Sequence, residues 1–308
     1  MHLTIIIINY KTTNLVIKCI SSIKNTLGDL IDSEVLIVDN NSQDNSEEII
    51  TKVFPEVIWI NNPTNEGFGR ANNIGIKAAK GEYVLLLNSD VIVLPGTIEK
   101  CLEALKEDQQ IGVLGCKLLN EDGSEQKSTF TIASFAHLLN QNLLIDKLFK
   151  LKEPKDQAIM GSFMLFPKKV LDEVGGFDPD FFMYSEELEL CNRVLKAGYK
   201  IEQENSVAVI HEHGGSTLNK TWSIQQRFLS NALLFYKIHG FCGYFAYHGI
   251  YITNIITNFS LMWFLDSNYR KSFFTESKLY FSNCFYYIAI PLKFKRRMEN
   301  GKRILKRG

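Results

Sequence analysis

Apolar and polar positions alternate regularly through the first two thirds of the chain. Short apolar runs rich in β-branched residues are separated by segments in which apolar residues recur every three or four positions. The runs predict strands at Leu3–Ile8, Val35–Val38, Val57–Ile60, Tyr83–Leu87, Gly112–Leu118, Ser162–Phe166 and Ser206–Ile210. The spacing predicts helices at Thr12–Asn25, Ser46–Val53, Gly69–Ala79, Thr97–Leu105 and Ser185–Ala197. Strands that are apolar throughout and alternate with helices indicate an α/β fold, with a parallel sheet covered on both faces.

This pattern weakens in the middle of the chain and ends before its last third. Residues 130–151 show only weak helical spacing, and beyond about residue 217 the strand signals cease and the chain reads as helical. We therefore predict an α/β domain over residues 1–217 and a helical region over residues 218–308.

The helical region has an unusual charge distribution. Residues 238–265 contain no Lys, Arg, Asp or Glu, but their glycine, histidine and asparagine make them too polar for a membrane span of about 20 apolar residues. A packed or interfacial helix is the preferred interpretation. Residues 293–308 carry eight Lys or Arg against Glu299 alone, a net charge of +7, and follow an aromatic-rich stretch. Such a segment fits either peripheral contact with an anionic membrane or plain solvation, and the sequence leaves both open.

Composition excludes several classes of protein. Over the 308 residues, 34 basic and 34 acidic side chains cancel, so no net field favours nucleic acid. The six cysteines are scattered without a C-x-x-C pair, which argues against a disulfide framework and for a reducing, cytoplasmic compartment. The apolar run at Ile5–Ile8 is too short for a signal peptide and fits a buried strand.

Polar clusters follow several predicted strands, where α/β proteins place their sites. Asp39-Asn40-Asn41-Ser42 and Asn88-Ser89-Asp90 each end a buried strand. The carboxylate of Asp39 could accept a hydrogen bond from a base or ribose, and that of Asp90 could hold a divalent cation. Either cluster could instead be a simple turn.

A glycine-rich stretch between the third predicted strand and the next helix partly matches the dinucleotide fingerprint G-x-G-x-x-G. It runs from Gly67 through Gly69, but Asn72 replaces the third glycine, and the stretch does not follow the first strand. The match is therefore weak.

Acidic residues begin the predicted helix Ser185–Ala197, for which Ser185 is a plausible N-cap. Glu186 and Glu189 lie about 150° from the centre of the apolar stripe and are expected to face solvent, whereas Glu187 lies only about 50° from it. Burial would raise the pKa of Glu187 towards the range useful to a general base, although the helix N-terminus would lower it. A structural ion pair is the alternative role for Glu187.

Two histidines near the end of the last predicted strand complete the candidate chemistry. His211 and His213 are two residues apart, so on an extended strand they point to the same side and could offer an imidazole to a metal or a phosphate.

Together and in this order, these clusters resemble the family 2 glycosyltransferases of the GT-A fold, especially their rhamnosyltransferase-like branch. The resemblance covers about residues 3–217 and rests on Ile7–Tyr10, Val38–Ser42, Asn65–Asn73, Tyr83–Asp90, Gly175–Asp178 and Phe181–Glu187. It implies a GT-A fold, which is Rossmann-like with a mostly parallel central sheet flanked by helices, here with a helical C-terminal extension. It also implies a nucleoside-diphosphate sugar as the donor.

The resemblance further assigns roles to individual residues. Asp39 would contact a pyrimidine base in a pocket lined by Asn9 and Tyr10, and Asp90 would bind Mg²⁺ or Mn²⁺ through the donor diphosphate, with His213 or His211 as a further ligand. Glu187, preceded by Glu186, would be the catalytic base, although the family usually has Asp there. The remaining donor-binding positions would be Asn41, Gly67, Phe68, Arg70, Asn72, Asn88 and Ser89, with Asn88 replacing the first Asp of a full D-x-D element.

We therefore expect an inverting glycosyltransferase that acts in the cytoplasm, at or near the membrane, on a glycan or polyprenyl-linked acceptor in surface polysaccharide synthesis. The donor is expected to be dTDP-rhamnose first and UDP-galactofuranose or another UDP-sugar second. A non-catalytic nucleotide-sugar-binding protein and a Rossmann-type oxidoreductase are the alternatives. The main expectation requires Asp90 and Glu187 to converge on one cleft.

Overall fold

The computed structural model describes residues 2–27, 32–142, 157–212 and 220–261, together with 145, 148, 151–152, 155, 267, 270–271 and 273–282. Strands and helices alternate at the start of the chain: β1 (His2–Asn9), α1 (Thr13–Leu27), β2 (Asp32–Asp39), α2 (Ser46–Val53), β3 (Ile58–Asn61), α3 (Phe68–Ala78) and β4 (Tyr83–Leu87). The next elements are β5 (Val91–Val93), α4 (Thr97–Glu107), β6 (Ile111–Leu119), β7 (Glu125–Gln126), β8 (Thr129–Phe130) and α5 (Phe135–Asn140). The last are β9 (Ala158–Ile159), β10 (Phe163–Pro167), α6 (Lys168–Val174), α7 (Glu186–Lys196), β11 (Lys200–His211) and α8 (Lys220–Leu261). Every strand and helix predicted in the first two thirds of the chain is confirmed.

The central sheet has the order β3-β2-β1-β4-β10-β6-β11-β5, with β7 also paired to β6. Strands β1 to β4 are parallel to one another, and β11 is parallel to β6. However, β10 is antiparallel to both β4 and β6, and β5 is antiparallel to β11. The predicted GT-A-like α/β sheet is therefore confirmed as a mixed sheet, with β10 and β5 as antiparallel strands whose direction an apolar run does not reveal.

The sheet is buried because its inner strands carry apolar side chains on both faces. Leu3, Ile5, Ile6 and Ile7 of β1 are completely buried, as are Val84, Leu85 and Leu86 of β4. Helix α1 packs its apolar stripe into the same core, with buried residues Val16, Cys19, Ile20 and Ile23 at helical spacing. This core fixes the carboxyl ends of β1, β2 and β4 along one edge.

Contacts within the chain group it into two compact units. The first comprises residues 1–130, 157–182 and 190–218, and the second comprises residues 131–156, 183–189 and 219 onwards. The second unit thus includes the first turn of α7 as well as α5 and α8. The predicted division into domains at residue 217 stays a prediction.

In the second unit, α5 packs on the long helix α8. The weak helical spacing over residues 130–151 corresponds to α5 and to helical residues 145 and 148. Asn254 of α8 donates its amide to the carbonyl oxygen of Leu138 at 2.8 Å and accepts one from the Asn142 amide at 3.0 Å. Gly240, with φ of 67°, breaks the helical backbone of α8. Among the described residues, no helix is both long enough and apolar enough to cross a membrane. The basic segment 293–308 lies outside the described residues.

Candidate active site

Asp39 lies at the end of β2 in a buried network of hydrogen bonds. Its Oδ1 accepts from Asn9 Nδ2 at 2.8 Å and from the Ser42 hydroxyl at 2.5 Å, and its Oδ2 accepts from the Ser42 backbone N–H at 2.9 Å. Asn9 is held in turn by Thr12, whose backbone N–H and hydroxyl both donate to Asn9 Oδ1. The carboxylate of Asp39 is therefore fixed in position and retains acceptor capacity on Oδ2.

Asn40, which was not singled out as a site residue, holds the loop that precedes α3. Its Oδ1 accepts from the amide of Asn62 and the backbone N–H of Glu66, and its Nδ2 donates to Asn65 Oδ1 and to the Gly67 carbonyl oxygen. Four bonds from one buried side chain tie β2 to this loop. The sequence shows Asn40 within Val38–Ser42, one of the stretches that carry the family resemblance, but it does not show the partners of Asn40, which lie 22 to 27 residues further along.

Gly67 allows the same loop to approach the backbone of Phe182. A Cβ at Gly67 would lie 1.9 Å from the carbonyl oxygen of Phe182, and the φ of Gly67 is +85°. The Phe68 backbone N–H donates to that carbonyl oxygen at 2.9 Å. Gly67 is thus required by backbone geometry, whatever ligand binds nearby.

The other predicted donor-binding residues of this loop make contacts within the protein. Asn72 is buried and donates to the Phe68 carbonyl oxygen at 3.1 Å, and Arg70 Nε donates to the Pro179 carbonyl oxygen at 2.7 Å. These contacts hold α3 and its loop in place. Donor binding by Phe68, Arg70 and Asn72 stays a prediction.

The turn Asn88–Asp90 lies at the carboxyl end of β4, beside the start of β10. The Asn88 backbone N–H donates to the Ser162 carbonyl oxygen at 3.0 Å, and the Glu212 backbone N–H donates to the Asp90 carbonyl oxygen at 2.9 Å. The Ser162 hydroxyl is buried and has no hydrogen-bond partner among the described residues. Ser89 and Asp90 are buried and Asn88 is half-buried. Ser162 was missed as a site residue because an isolated serine before a strand carries no sequence signal.

His211, at the end of β11, faces Asp90. Its Nε2 lies 3.5 Å from Asp90 Oδ1, and its Nδ1 lies 2.9 Å from Gln126 Oε1. The Gln126 amide nitrogen donates to the carbonyl oxygen of His211 at 2.7 Å and to Asn120 Oδ1 at 2.7 Å, so Gln126 Oε1 must accept from His211 Nδ1–H. The other ring nitrogen, Nε2, is the one that faces Asp90. Gln126 was missed because the two-residue strand β7 that carries it has no periodic pattern.

The predicted partner His213 lies outside the described residues, so its expected position beside His211 stays a prediction. Among the described residues, no cluster of three or more His, Cys, Asp or Glu could hold a metal ion. Asp90 and His211 form a pair only.

The acidic first turn of α7 differs from the sequence expectation. Glu186 and Glu189 are 3% and 6% exposed, so the prediction that both face solvent is wrong, while Glu187 is half-buried. Burial raises the pKa of Glu187 from 4.5 to about 7. Burial and then the charge of Glu187 raise the pKa of Glu186 well above its usual value. Glu186 Oε2 has no hydrogen-bond partner among the described residues.

Helix α8 bonds to the residues that immediately precede α7. The carbonyl oxygen of Met183 accepts from the Ser230 hydroxyl at 2.7 Å, and the Ser185 hydroxyl donates to Asn231 Oδ1 at 2.8 Å. A helical wheel drawn for α7 alone assumes one buried face, so it cannot show that Glu186 and Glu189 are buried too.

The backbone just before Glu186 is strained. Tyr184 and Ser185 have φ values of 69° and 66°, which non-glycine residues rarely adopt. Ser185 is therefore not an ordinary N-cap in the extended conformation. Two such residues cost on the order of 1–3 kcal/mol each and persist only where surrounding contacts hold them, as at functional sites.

Asp90 belongs to the first compact unit and Glu187 to the second. Their convergence on one cleft stays a prediction.

Comparison with known proteins gives consistent matches. The sequence pattern of glycosyl transferase family 2 matches residues 4–175, more than half of the chain. The N-acetylglucosaminyl-diphospho-decaprenol L-rhamnosyltransferase of Mycobacterium tuberculosis is 29% identical over 209 residues, which cover 59% of this chain and 67% of that protein. The low-salt glycan biosynthesis hexosyltransferase Agl10 of Haloferax volcanii is 28% identical over 215 residues, which cover 68% of this chain and 66% of that protein.

A solved structure extends the likeness to the fold. The mannosyltransferase PcManGT from Pyrobaculum calidifontis, in complex with GDP-Man and Mn²⁺, is similar with a TM-score of 0.59 at 14% identity. The match covers 90% of this chain and 84% of that chain.

Proposed function

The chain belongs to glycosyl transferase family 2 and is a glycosyltransferase with the GT-A fold, and from that premise we propose that it transfers a hexose from a nucleoside-diphosphate sugar, with inversion, to a lipid-linked glycan. The observation that carries this proposal is the pair of acidic side chains at the start of α7, the buried Glu186 and the half-buried Glu187, with the pKa of Glu187 raised to about 7. A general base works best when its pKa is close to the pH at which it operates.

Asp39 is proposed to recognise the pyrimidine base of the donor. Its carboxylate is held by Asn9 and Ser42, and the remaining acceptor position on Oδ2 suits the imide N–H of uracil or thymine. Both bases present the same imide edge, so Asp39 accommodates UDP and dTDP donors alike. Tyr10 and Asn41, which flank this network in the chain, are proposed to line the pocket.

Asp90 and His211 are proposed to hold a divalent cation together with the donor diphosphate. A carboxylate and an imidazole Nε2 are suitable ligands for Mn²⁺, and Gln126 fixes the imidazole through Nδ1 as a supporting residue usually does for a metal-bound histidine. Two protein ligands suffice when substrate phosphates complete the coordination. When bound, the cation would offset the charge that develops on the leaving diphosphate. His213 is the alternative imidazole ligand, and Mg²⁺ the alternative cation.

Glu187 is proposed to act as the general base. Its carboxylate accepts the proton of the acceptor hydroxyl as that oxygen forms a bond to the anomeric carbon of the donor sugar. The bond from the anomeric carbon to the diphosphate oxygen breaks on the opposite face, and the nucleoside diphosphate leaves with the electron pair. One in-line displacement inverts the anomeric configuration and needs no covalent enzyme intermediate.

Glu186 is proposed to remain protonated while Glu187 ionises. Two adjacent buried carboxyl groups cannot both ionise without a large cost, and burial already disfavours the charge on Glu186. The strained residues Tyr184 and Ser185 would keep this first turn rigid, because Ser230 of α8 holds the neighbouring Met183 and Asn231 of α8 holds Ser185.

The sugar and the acceptor are proposed from the matched relatives. The name of the M. tuberculosis relative specifies an L-rhamnosyl group and N-acetylglucosaminyl-diphospho-decaprenol. We therefore propose dTDP-rhamnose as the first donor to test and a polyprenyl-diphosphate-linked sugar as the acceptor. A UDP-sugar such as UDP-galactofuranose is the second donor to test.

The test is a transfer assay on the full chain with Mn²⁺, each donor in turn, and a polyprenyl-diphosphate N-acetylglucosamine. Release of dTDP or UDP that depends on the acceptor, together with an inverted anomeric proton coupling in the NMR spectrum of the product, is expected. Donor binding in calorimetry without any release would indicate a nucleotide-sugar-binding protein and contradict the proposal. Glu187→Gln is the matched inactive control.

A further inference from the structure

Large apolar side chains are exposed on one side of α8. Phe241, Phe245, Ile256 and Phe259 are 46%, 56%, 63% and 55% exposed. At 3.6 residues per turn, all four lie within about 60° of one another around the helix axis. The buried residues Tyr244, Tyr247 and Ile255 lie about 85°, 145° and 65° from the centre of this stripe and belong to the second unit. The exposed stripe is therefore a distinct face and not a frayed part of the core.

Residues 273–282 extend this face. They are helical, and Phe274 and Phe281 are about half exposed, with the exposed Lys278 between them on the same side of the helix. The rings of Phe259 and Phe274 meet edge to face with centroids 6.4 Å apart. His248 Nδ1 lies 2.7 Å from the buried Tyr280 hydroxyl, which ties the two helical segments together. We call Phe241, Phe245, Ile256, Phe259, Phe274 and Phe281 the aromatic face.

The charge pattern around the aromatic face is asymmetric. Residues 238–265 carry no charged side chain, and residues 293–308, which follow in the sequence, carry a net charge of +7. Aromatic side chains favour the boundary between lipid headgroups and acyl chains, and a lysine among them can extend its amine to the headgroups. Basic segments add attraction to anionic lipids, at about 1 kcal/mol per Lys or Arg close to the surface.

We propose that the aromatic face docks the enzyme on an anionic lipid bilayer, with the helices of the second unit lying in the interface rather than crossing the membrane. The inference deepens the proposed function and rests on it in one respect, because a polyprenyl-linked acceptor is presented at such a surface. Vesicle binding itself requires neither donor nor acceptor.

The experiment is flotation of the full chain with vesicles of phosphatidylcholine, with and without phosphatidylglycerol. The wild-type chain should float with the anionic vesicles, less so at high salt. The triple variant Phe245→Ser/Ile256→Ser/Phe259→Ser should bind at least about tenfold more weakly, because three large apolar side chains no longer enter the interface. The matched control is Ile49→Ser/Val53→Ser/Ile58→Ser, which removes three similarly exposed apolar side chains from α2 and β3 and should bind like the wild type.

A second variant keeps the test decisive if the Ser triple variant fails to fold. Phe245→Trp preserves the aromatic character of the face, and its fluorescence should be quenched by brominated lipids, whereas that of Ile49→Trp should not be. Wild-type vesicle binding by the Ser triple variant, or equal quenching at both tryptophans, would overturn the proposal. The proposal would also be overturned if neither protein bound vesicles and the wild type were a dimer but the Ser triple variant a monomer. The aromatic face would then join two copies of the chain.

The two proposals can fail separately. Transfer to a short-chain, water-soluble acceptor should be the same in the Ser triple variant and the wild type, because no residue of the aromatic face belongs to the proposed catalytic machinery. If the Ser triple variant loses vesicle binding but keeps transfer, the aromatic face serves docking alone. If the wild type binds vesicles but transfers no sugar, only the enzymatic proposal is contradicted.

Discussion

Replacing Glu187 with glutamine tests the proposed base, because it removes the proton acceptor while keeping nearly the same shape. General bases contribute about 10²- to 10⁴-fold to rate, which corresponds to about 3–5 kcal/mol of activation free energy. We expect kcat to fall at least about a hundredfold and donor affinity in calorimetry to change little. In the wild type, kcat/KM should rise with pH through about 7, as Glu187 ionises.

Glu187→Gln, which is expected to lower activity, should raise the stability of the protein at alkaline pH. Because burial raises the pKa of Glu187 from 4.5 to about 7, the stability contributed by its protonated form is present below pH 4.5 and is lost as pH rises through 7. The loss is up to about 3 kcal/mol, since a tenfold change in a protonation equilibrium is about 1.4 kcal/mol. Glu187→Gln removes this cost and should be more stable than the wild type in urea at pH 8, but not at pH 4.

Two controls separate the base from a structural role. Glu187→Asp, which restores the residue usual in the family, should recover part of the lost turnover. Glu48→Gln alters an exposed glutamate in the first turn of α2 and should change neither activity nor stability. A Glu187→Gln enzyme with turnover within about threefold of the wild type would remove Glu187 from the mechanism, whatever its stability.

Substitutions of Gly67, Asp90 and Asp39, each with its own check, test the remaining parts of the site. Gly67→Ala should destabilise the protein by about 2–4 kcal/mol in urea, because a Cβ would meet the Phe182 carbonyl oxygen. Gly123→Ala, at a similar φ of +81° with no described atom within 4 Å of the added Cβ, should cost only about 1–2 kcal/mol, and equal losses would disprove the close-contact argument. Chelation of divalent cations should abolish transfer, and Asp90→Asn should lower it at least about a hundredfold at an unchanged melting temperature; full activity in chelator would exclude the cation site. Asp39→Asn should weaken UDP or dTDP binding about tenfold or more in calorimetry, and unchanged affinity would remove Asp39 from base recognition.

Much of the fold follows directly from the sequence, because burial of a strand on both faces requires an unbroken apolar run. The runs in β1, β4 and β10 are of this kind, and all three were predicted. What such a run does not encode is direction, so the sequence did not reveal that β10 runs antiparallel between β4 and β6. The three-residue strand β5 is too short to show a period at all.

The candidate site could likewise be predicted only in part. Asp39 and Asp90 could be located because each follows a buried strand, and their neighbours in the chain carry the family pattern. The surroundings of Glu186 could not be predicted, because the segment just before it bonds to side chains of α8, more than 30 residues further along. Gln126, which orients His211 from 85 residues away, could be found only once the chain had folded.

Hydrogen bonds within the protein fix the side chains of Asp39 and Asn40, and this has a consequence for redesign. A pocket built in advance loses little conformational entropy when its ligand arrives, so nucleotide binding should be driven by contacts and not opposed by ordering of the loop. The same rigidity would resist a change of base preference. Substituting Asp39 alone would leave the Ser42 N–H with no acceptor and the Asn9 amide with only the Ser42 hydroxyl oxygen, so a purine-accepting version would need all three positions rebuilt together.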